Sequence, residues 1–163
     1  MAPTSLSEIE IVQNTALAAT MIWRCGLGYQ DESGSSPMPF HLSFLVLPVC
    51  MHKDTLDHVL STQKRSGLSM FAAKVARKRE DLLAVHLRAL AFRDLTFASV
   101  GVGIRTKLLS VDYRSAQLRS NTHPAPKNLP ERIKPHIQGA ERFGAWCGRL
   151  PLEQIATTLQ VEF

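Results

Sequence analysis

The clearest periodic stretch opens at Ile9 and runs through Ile11, Val12, Leu17, Met21, Ile22 and Trp23, with Ala16, Ala18 and Ala19 between them. Apolar residues recurring at three- and four-residue intervals predict a helix of about 18 residues. Ser7 is placed as its N-cap, with Glu8 and Glu10 in the first turn. Gly26 and Gly28 are read as its end. Residues 30–39, QDESGSSPMP, read as a flexible polar loop. The next segment, FHLSFLVLPVCM, is almost continuously apolar, so it is buried on all sides. Periodicity alone leaves strand and helix open there. Pro48 weakens both, and the reading taken is a helix that ends before it.

The pattern then gives a short helix from Asp54 to Ser61, with Asp54 as N-cap, and helices over Gly67 to Lys74 and Arg79 to Arg93. Leu82, Leu83, Val85, His86, Leu87 and Leu90 form an apolar stripe on the last of these, and the helical pattern continues through Leu95 to Ile104. Lys107 to Asp112 and Ala116 to Ser120 read as two short strands, joined at Tyr113, Arg114 and Ser115 into a hairpin. Pro124, Pro126, Pro130 and Pro135 stiffen a connector over 121–135. A helix starts near Pro135, turns Ile137, Ala140, Phe143, Ala145 and Trp146 inward, and ends at Gly148. Pro151 opens a last helix from Leu152 to Leu159, and Val161 to Phe163 is read as an edge strand. The fold class is therefore mainly α with a small β-hairpin. Helices followed by a hairpin match the order of a winged helix.

Length and composition set the frame for function. A chain of 163 residues with 45% apolar content fits one compact domain or two very small ones, and the reading taken is a single domain over residues 1–163. The net charge of +5 is unevenly spread. Residues 1–60 carry two basic and six acidic groups, a net of −4; residues 61–93 carry eight against two, a net of +6. The centre of the basic segment is Lys74, Arg77, Lys78 and Arg79, a surface suited to phosphates or to an acidic protein face. The competing reading is a solvated helix surface.

The candidate chemistry is sparse. Cys25, Cys50 and Cys147 are odd in number and far apart, which fits buried thiols in a reducing compartment rather than a disulfide framework. MAPTSLSEIEI lacks the charged start and apolar stretch of a signal peptide, and no run reaches the roughly 20 residues of a membrane span. The expected location is the cytoplasm. His52 and His58 with Asp54 and Asp57 come nearest to a metal cluster, but their spacing does not bring both rings onto one helical face. GVGIRTK at 101–107 fails the phosphate-loop pattern, and no nucleophile elbow or paired catalytic carboxylates occur. No catalytic residue, cofactor, metal or small-molecule substrate is assigned.

One ordered set of residues has wider meaning: Asn14, Leu17, Trp23 and Gly28-Tyr29, then Met38-Pro39 with FLVLP at 44–48, His52-Lys53, Gly67-Leu68 and Phe71, and near the end Gly144-Ala145-Trp146 and Leu159-Gln160-Val161. This order resembles the middle component of bacterial three-component ABC systems over residues 9–163, and the Lamassu-type systems look closest in architecture. The resemblance implies an accessory subunit in anti-phage or anti-plasmid defence. Its partners would be an SMC/Rad50-like ABC ATPase and a separate effector, with DNA reached through the complex. It carries no catalytic residues. Asn14, Trp23, Tyr29, Pro39, Pro48, His52, Gly144 and Trp146 match its recurring positions, and their chemistry argues scaffold or partner anchor. Two other classes remain open: a free-standing winged-helix DNA-binding regulator and a small enzyme.

Overall fold

The computed structural model describes residues 14–77 and 79–163; the side chains of residues 79–81 lie outside that description. Helix α1, Thr15–Glu32, is the axis of the fold. Asn14 caps it, its side-chain oxygen accepting from the Leu17 N–H at 3.0 Å. The proposed cap at Ser7 lies outside the described residues. α1 does not stop at Gly26 or Gly28 but continues to Glu32. Both glycines are packing positions. A methyl on Gly26 would run into the Ser120 hydroxyl, and one on Gly28 into the Glu141 backbone.

The chain after α1 differs from the expected loop over 30–39. Residues 30–32 finish α1, and Met38–Pro39 form a two-residue strand, β1, that sequence reading missed. A 3₁₀ turn, Phe40–Leu42, leads into α2, Ser43–Cys50. α2 does not end before Pro48; the proline sits inside it. Pro48 cannot donate to the Phe44 carbonyl, but α2 is buried over nearly its whole length, so packing outweighs that loss. α3 is Lys53–Leu60, with His52 rather than Asp54 at the cap; Asp54 sits in the first turn, where its charge suits the helix dipole. α4 (Gly67–Val75), α5 (Arg79–Ala91) and α6 (Arg93–Arg105) follow.

The hairpin consists of β2, Leu109–Asp112, and β3, Gln117–Ser120. With β1 they make a three-stranded antiparallel sheet in the order β1-β3-β2, registered by Met38 opposite Leu118 and Val111 opposite Leu118. The hairpin turn is held by Asp112, whose carboxylate pKa is lowered first by the Ser115 side chain and then by the Arg114 N–H, from which it accepts at 2.9 Å. The far end of β3 is fastened to α1. The Gln30 side chain accepts from the Ser120 N–H at 2.7 Å and donates to the Ser120 carbonyl at 3.1 Å, as a neighbouring strand would. The Trp23 indole donates to the Asn121 carbonyl at 2.8 Å.

α7, Lys134–Cys147, runs parallel to α1. Arg24 pairs with Glu141 and Glu32 with Arg149, both 117 positions apart, which fixes the direction. α8, Leu152–Leu159, closes the fold. Val161 to Phe163 is not an edge strand. Gln160 takes a left-handed conformation, and the Val161 N–H bonds back to the Ala156 carbonyl, ending α8 as a C-cap and burying Val161. The result is mainly α with a small antiparallel sheet. No described helix is long and apolar enough to cross a membrane.

Candidate interaction surface

α5 carries apolar residues on two sides, and only one is covered. Leu82 and Val85 are buried against the core, whereas Leu83, Leu87 and Leu90 are 59%, 55% and 59% exposed. The expected single stripe therefore splits. Its six positions spread over more than half the circumference of a helix, too wide for one buried face of roughly 100°. That width is the signal in the sequence that could have found the exposed half. Arg88 anchors the buried side: its guanidinium donates to the Pro48 carbonyl at 3.2 Å and to the Thr55 hydroxyl at 3.0 Å.

The exposed leucines lead into further apolar surface. A cavity of about 210 Å³ lies beside Leu90, walled by Phe44, Leu45, Ala89, Val161 and Phe163, with His41, His86, Arg93 and Glu162 as its polar lining. The Phe44 ring also meets Phe97 of α6 edge-on at 5.1 Å between centroids, and Phe97 is 51% exposed. His41 meets Phe163 at 5.8 Å. Elements from four parts of the chain thus present one half-open apolar surface. None of its exposed leucines was among the candidate residues read from sequence.

The candidates from sequence fall elsewhere. Trp23 and Trp146 are fully buried, each with its indole N–H satisfied; Trp146 donates to the Lys64 carbonyl at 2.9 Å. Tyr29 is half-buried on α1, and its pKa is raised by burial and then by nearby Cys147. Pro39 pairs in β1 opposite Gln117. Pro48 is buried within α2. Gly144 packs on the Cys25 backbone. His52 is exposed, its Nδ1 3.0 Å from the Thr55 hydroxyl. Of the basic run, Lys74 donates to the carbonyl and hydroxyl of Ser61, Arg77 is exposed, and Lys78 and the Arg79 side chain lie outside the described residues.

The remaining polar groups serve the scaffold. Arg142 donates to the carbonyls of Val59, Leu60 and Thr62 at 3.4, 2.8 and 3.1 Å, reinforcing the end of α3, where the Val59 carbonyl also accepts from the Thr62 N–H. His136 bonds the Cys50 carbonyl through Nδ1 at 2.8 Å. All three cysteines are free and buried. Burial pushes Cys25 up to about 12 and Cys50 and Cys147 well above the ordinary thiol value. They are thiols, not thiolates, at neutral pH. Among the described residues no group of three or more His, Cys, Asp or Glu is placed to hold a metal ion.

What the described residues assemble is an α-rich scaffold with an apolar face left open on α5 and α6. The family model for the ABC-three component (ABC-3C) system Middle Component 3 matches residues 4–163, and the chain belongs to that family. It is a middle component of an ABC-three component system, an accessory subunit. No curated protein and no solved structure matches it.

Proposed function

We propose that this chain is a non-catalytic adaptor. It docks on an SMC/Rad50-like ABC ATPase and couples it to a separate effector, in a Lamassu-like anti-phage or anti-plasmid system of the cytoplasm. The observation that carries this reading is the exposed apolar face of α5 and α6 on a family member whose name places it within a multi-component system. Contiguous apolar surface rimmed by polar groups marks a protein interface. An adaptor works by differential affinity: it must bind one state of the ATPase better than another to transmit a signal.

One observation favours a second reading. The hairpin following α6 and the strand order β1-β3-β2 suit a winged-helix-like DNA-binding regulator. The exposed side of α6 mixes Phe97, Ala98 and Ile104 with Arg93 and Arg105, and its apolar members suit a protein partner better than a phosphate-lined groove. DNA contact through residues 64–79 remains compatible with the adaptor, where the complex brings the duplex to the chain.

Co-expression with the other two components, affinity purification and mass determination test the reading. The expected result is a stoichiometric complex with the ATPase. A monodisperse chain that ignores the ATPase but binds duplex DNA would overturn it. That affinity should then fall steeply with salt and be lost when Arg77, Lys78 and Arg79 become Ala.

A further inference from the structure

The β2–β3 hairpin carries the opposite chemistry to the leucine ridge of α5. On its inner side Leu109, Leu118 and Ser120 are buried, while Ser110, Asp112 and Arg119 are exposed on the outer side. Cations stand at both ends. Arg105 closes α6 and Lys107 follows it, and the Lys107 and Leu108 N–H groups bond the Ile104 and Gly103 carbonyls, so both cations sit at the base of the hairpin. Arg114 stands at the tip beside Tyr113, which is 81% exposed, more than any other large hydrophobic residue described.

These charges are uncommitted. Among the described residues Arg105, Lys107 and Arg114 are exposed, and their side chains make no hydrogen bond or ion pair. Arg119 is held by the Ser35 carbonyl at 3.1 Å, a neutral acceptor. Residues 105–120 carry four basic groups against one acidic, a net of +3. That one carboxylate, Asp112, is occupied by the Arg114 and Ser115 N–H groups. Asp31 of α1 is exposed and makes no ion pair among the described residues, and Asp94 stands at the other end of α6, about 16 Å away. The run at 64–79 differs: Lys64 pairs with Glu32, Arg65 bonds Gln63 and Lys74 bonds Ser61.

Shape and chemistry choose the partner. A protein interface has an apolar centre, but the outer side of the hairpin is polar. Hydroxyl, amide and cationic groups on a projecting turn suit phosphates. Single strands bind platforms of successive aromatics, and the hairpin carries one aromatic, Tyr113. Base and tip lie about 20 Å apart, enough to reach phosphates on both sides of a groove about 6–12 Å wide. The Asp112 hydrogen bonds hold the tip in shape before binding, and a narrow minor groove attracts arginine.

We propose that the β2–β3 hairpin is a contact for duplex DNA, with Arg105 and Lys107 on phosphates and Arg114 and Tyr113 at the minor groove. The contact belongs to this chain itself and goes beyond the adaptor reading without resting on it.

The test is fluorescence anisotropy of the full chain with a labelled duplex of about 20 base pairs, over salt from about 50 to 200 mM. Wild type should bind with a log–log salt slope of about −3, from three phosphate contacts at about 0.9 each. Arg105→Gln with Lys107→Gln should flatten that slope by about 2, and Arg114→Gln by about 1. Tyr113→Ala should weaken binding about 5-fold at unchanged slope. Thermal melts should stay at the wild-type value, since all four side chains are exposed. Arg77→Ala is the control and should bind as wild type does.

No binding at about 50 mM salt overturns the proposal. So does equal binding by the hairpin variants, or loss on Arg77→Ala in their place, which moves the contact to residues 64–79. A single strand bound more tightly than the duplex, or poly-glutamate competing as well as unlabelled duplex, overturns the choice of partner. Complex formation with the ATPase is a separate readout, so failure of the hairpin contact leaves the adaptor reading standing.

Discussion

A single methyl at Gly144 tests the packing of α1 on α7. Gly sits in a helix interior there, where Ala ordinarily gains about 1 kcal/mol. Space argues the other way. A methyl on Gly144 would come within 2.7 Å of the Cys25 carbonyl carbon and 3.0 Å of its Cα, and closer still to the oxygen. Restoring an ordinary 3.4 Å contact to that carbon moves the helices apart by about 0.7 Å or more. The obstacle is backbone, so no flexible side chain can yield. Overpacking costs about 1–3 kcal/mol and here belongs at the upper end. The net is a loss of about 2 kcal/mol for Gly144→Ala, a fall in Tm of about 4–8 °C for a chain of this size. Gly101→Ala is the control. It too is helical, but its methyl would meet only Arg105 Nη1 at 3.7 Å, so propensity should prevail and Tm should rise by about 1–4 °C. Calorimetric melts of the two variants beside wild type decide it. A Gly144→Ala protein as stable as wild type, or equal losses at both positions, would refute the close-packing argument.

Four further outcomes follow from the same structure. Arg142→Ala leaves the Leu60 and Thr62 carbonyls without that donor, while the Val59 carbonyl keeps the Thr62 N–H, and should cost about 2 kcal/mol, read as a lower denaturation midpoint with an unchanged m-value. Thr96 is fully buried and its hydroxyl has no partner among the described residues, so Thr96→Val should raise Tm by about 2–4 °C; a fall would reveal a hydrogen bond. Native protein should resist thiol-labelling reagents at all three cysteines until denaturant unfolds it. Because their folded pKa values are raised, the stability they contribute is present below about 9 and is lost as pH rises beyond it. Glu32 behaves with the opposite sign: its hydrogen bond to Arg149 lowers its pKa, so its contribution is present above the unfolded value near 4.5 and fades as pH falls through the folded one. The pair lies at the surface with both side chains partly exposed, so Glu32→Gln should flatten the acid limb of the stability curve by about 1 kcal/mol.

Which parts of this were legible in sequence depends on whether the determining partner is near in the chain. The helices from α4 onward and the hairpin follow from local periodicity and turn residues, and they sit within a few residues of the expected bounds. Failures came where a distant partner decided. Gly26 resembles a helix stop until Ser120 of β3 takes the space that a side chain would need. β1 is two residues long and exists because β3 pairs with it. Pro48 reads as a breaker, yet Arg88, 40 positions on, donates a hydrogen bond to its carbonyl. Val161 alternates with polar neighbours like a strand residue but is buried by the cap of α8.

The exposed face was hidden for a different reason. Leucines on the solvent side of α5 look the same in sequence as leucines on its core side, and only the width of the stripe betrays that two surfaces share one helix. This also separates residues that carry the resemblance to middle components from those of the exposed face. Asn14, Trp23, Gly144 and Trp146 sit in the cap, the core and the α1–α7 contact, so they keep the scaffold in shape. Leu83, Leu87, Leu90 and Phe97 hold little of the core and remain half in water. Substitution of the first set should be read out as stability, and substitution of the second as binding at unchanged stability. A variant of the exposed leucines that melts early would mean that the ridge supports the fold, and the division between scaffold and docking face drawn on α5 would be lost.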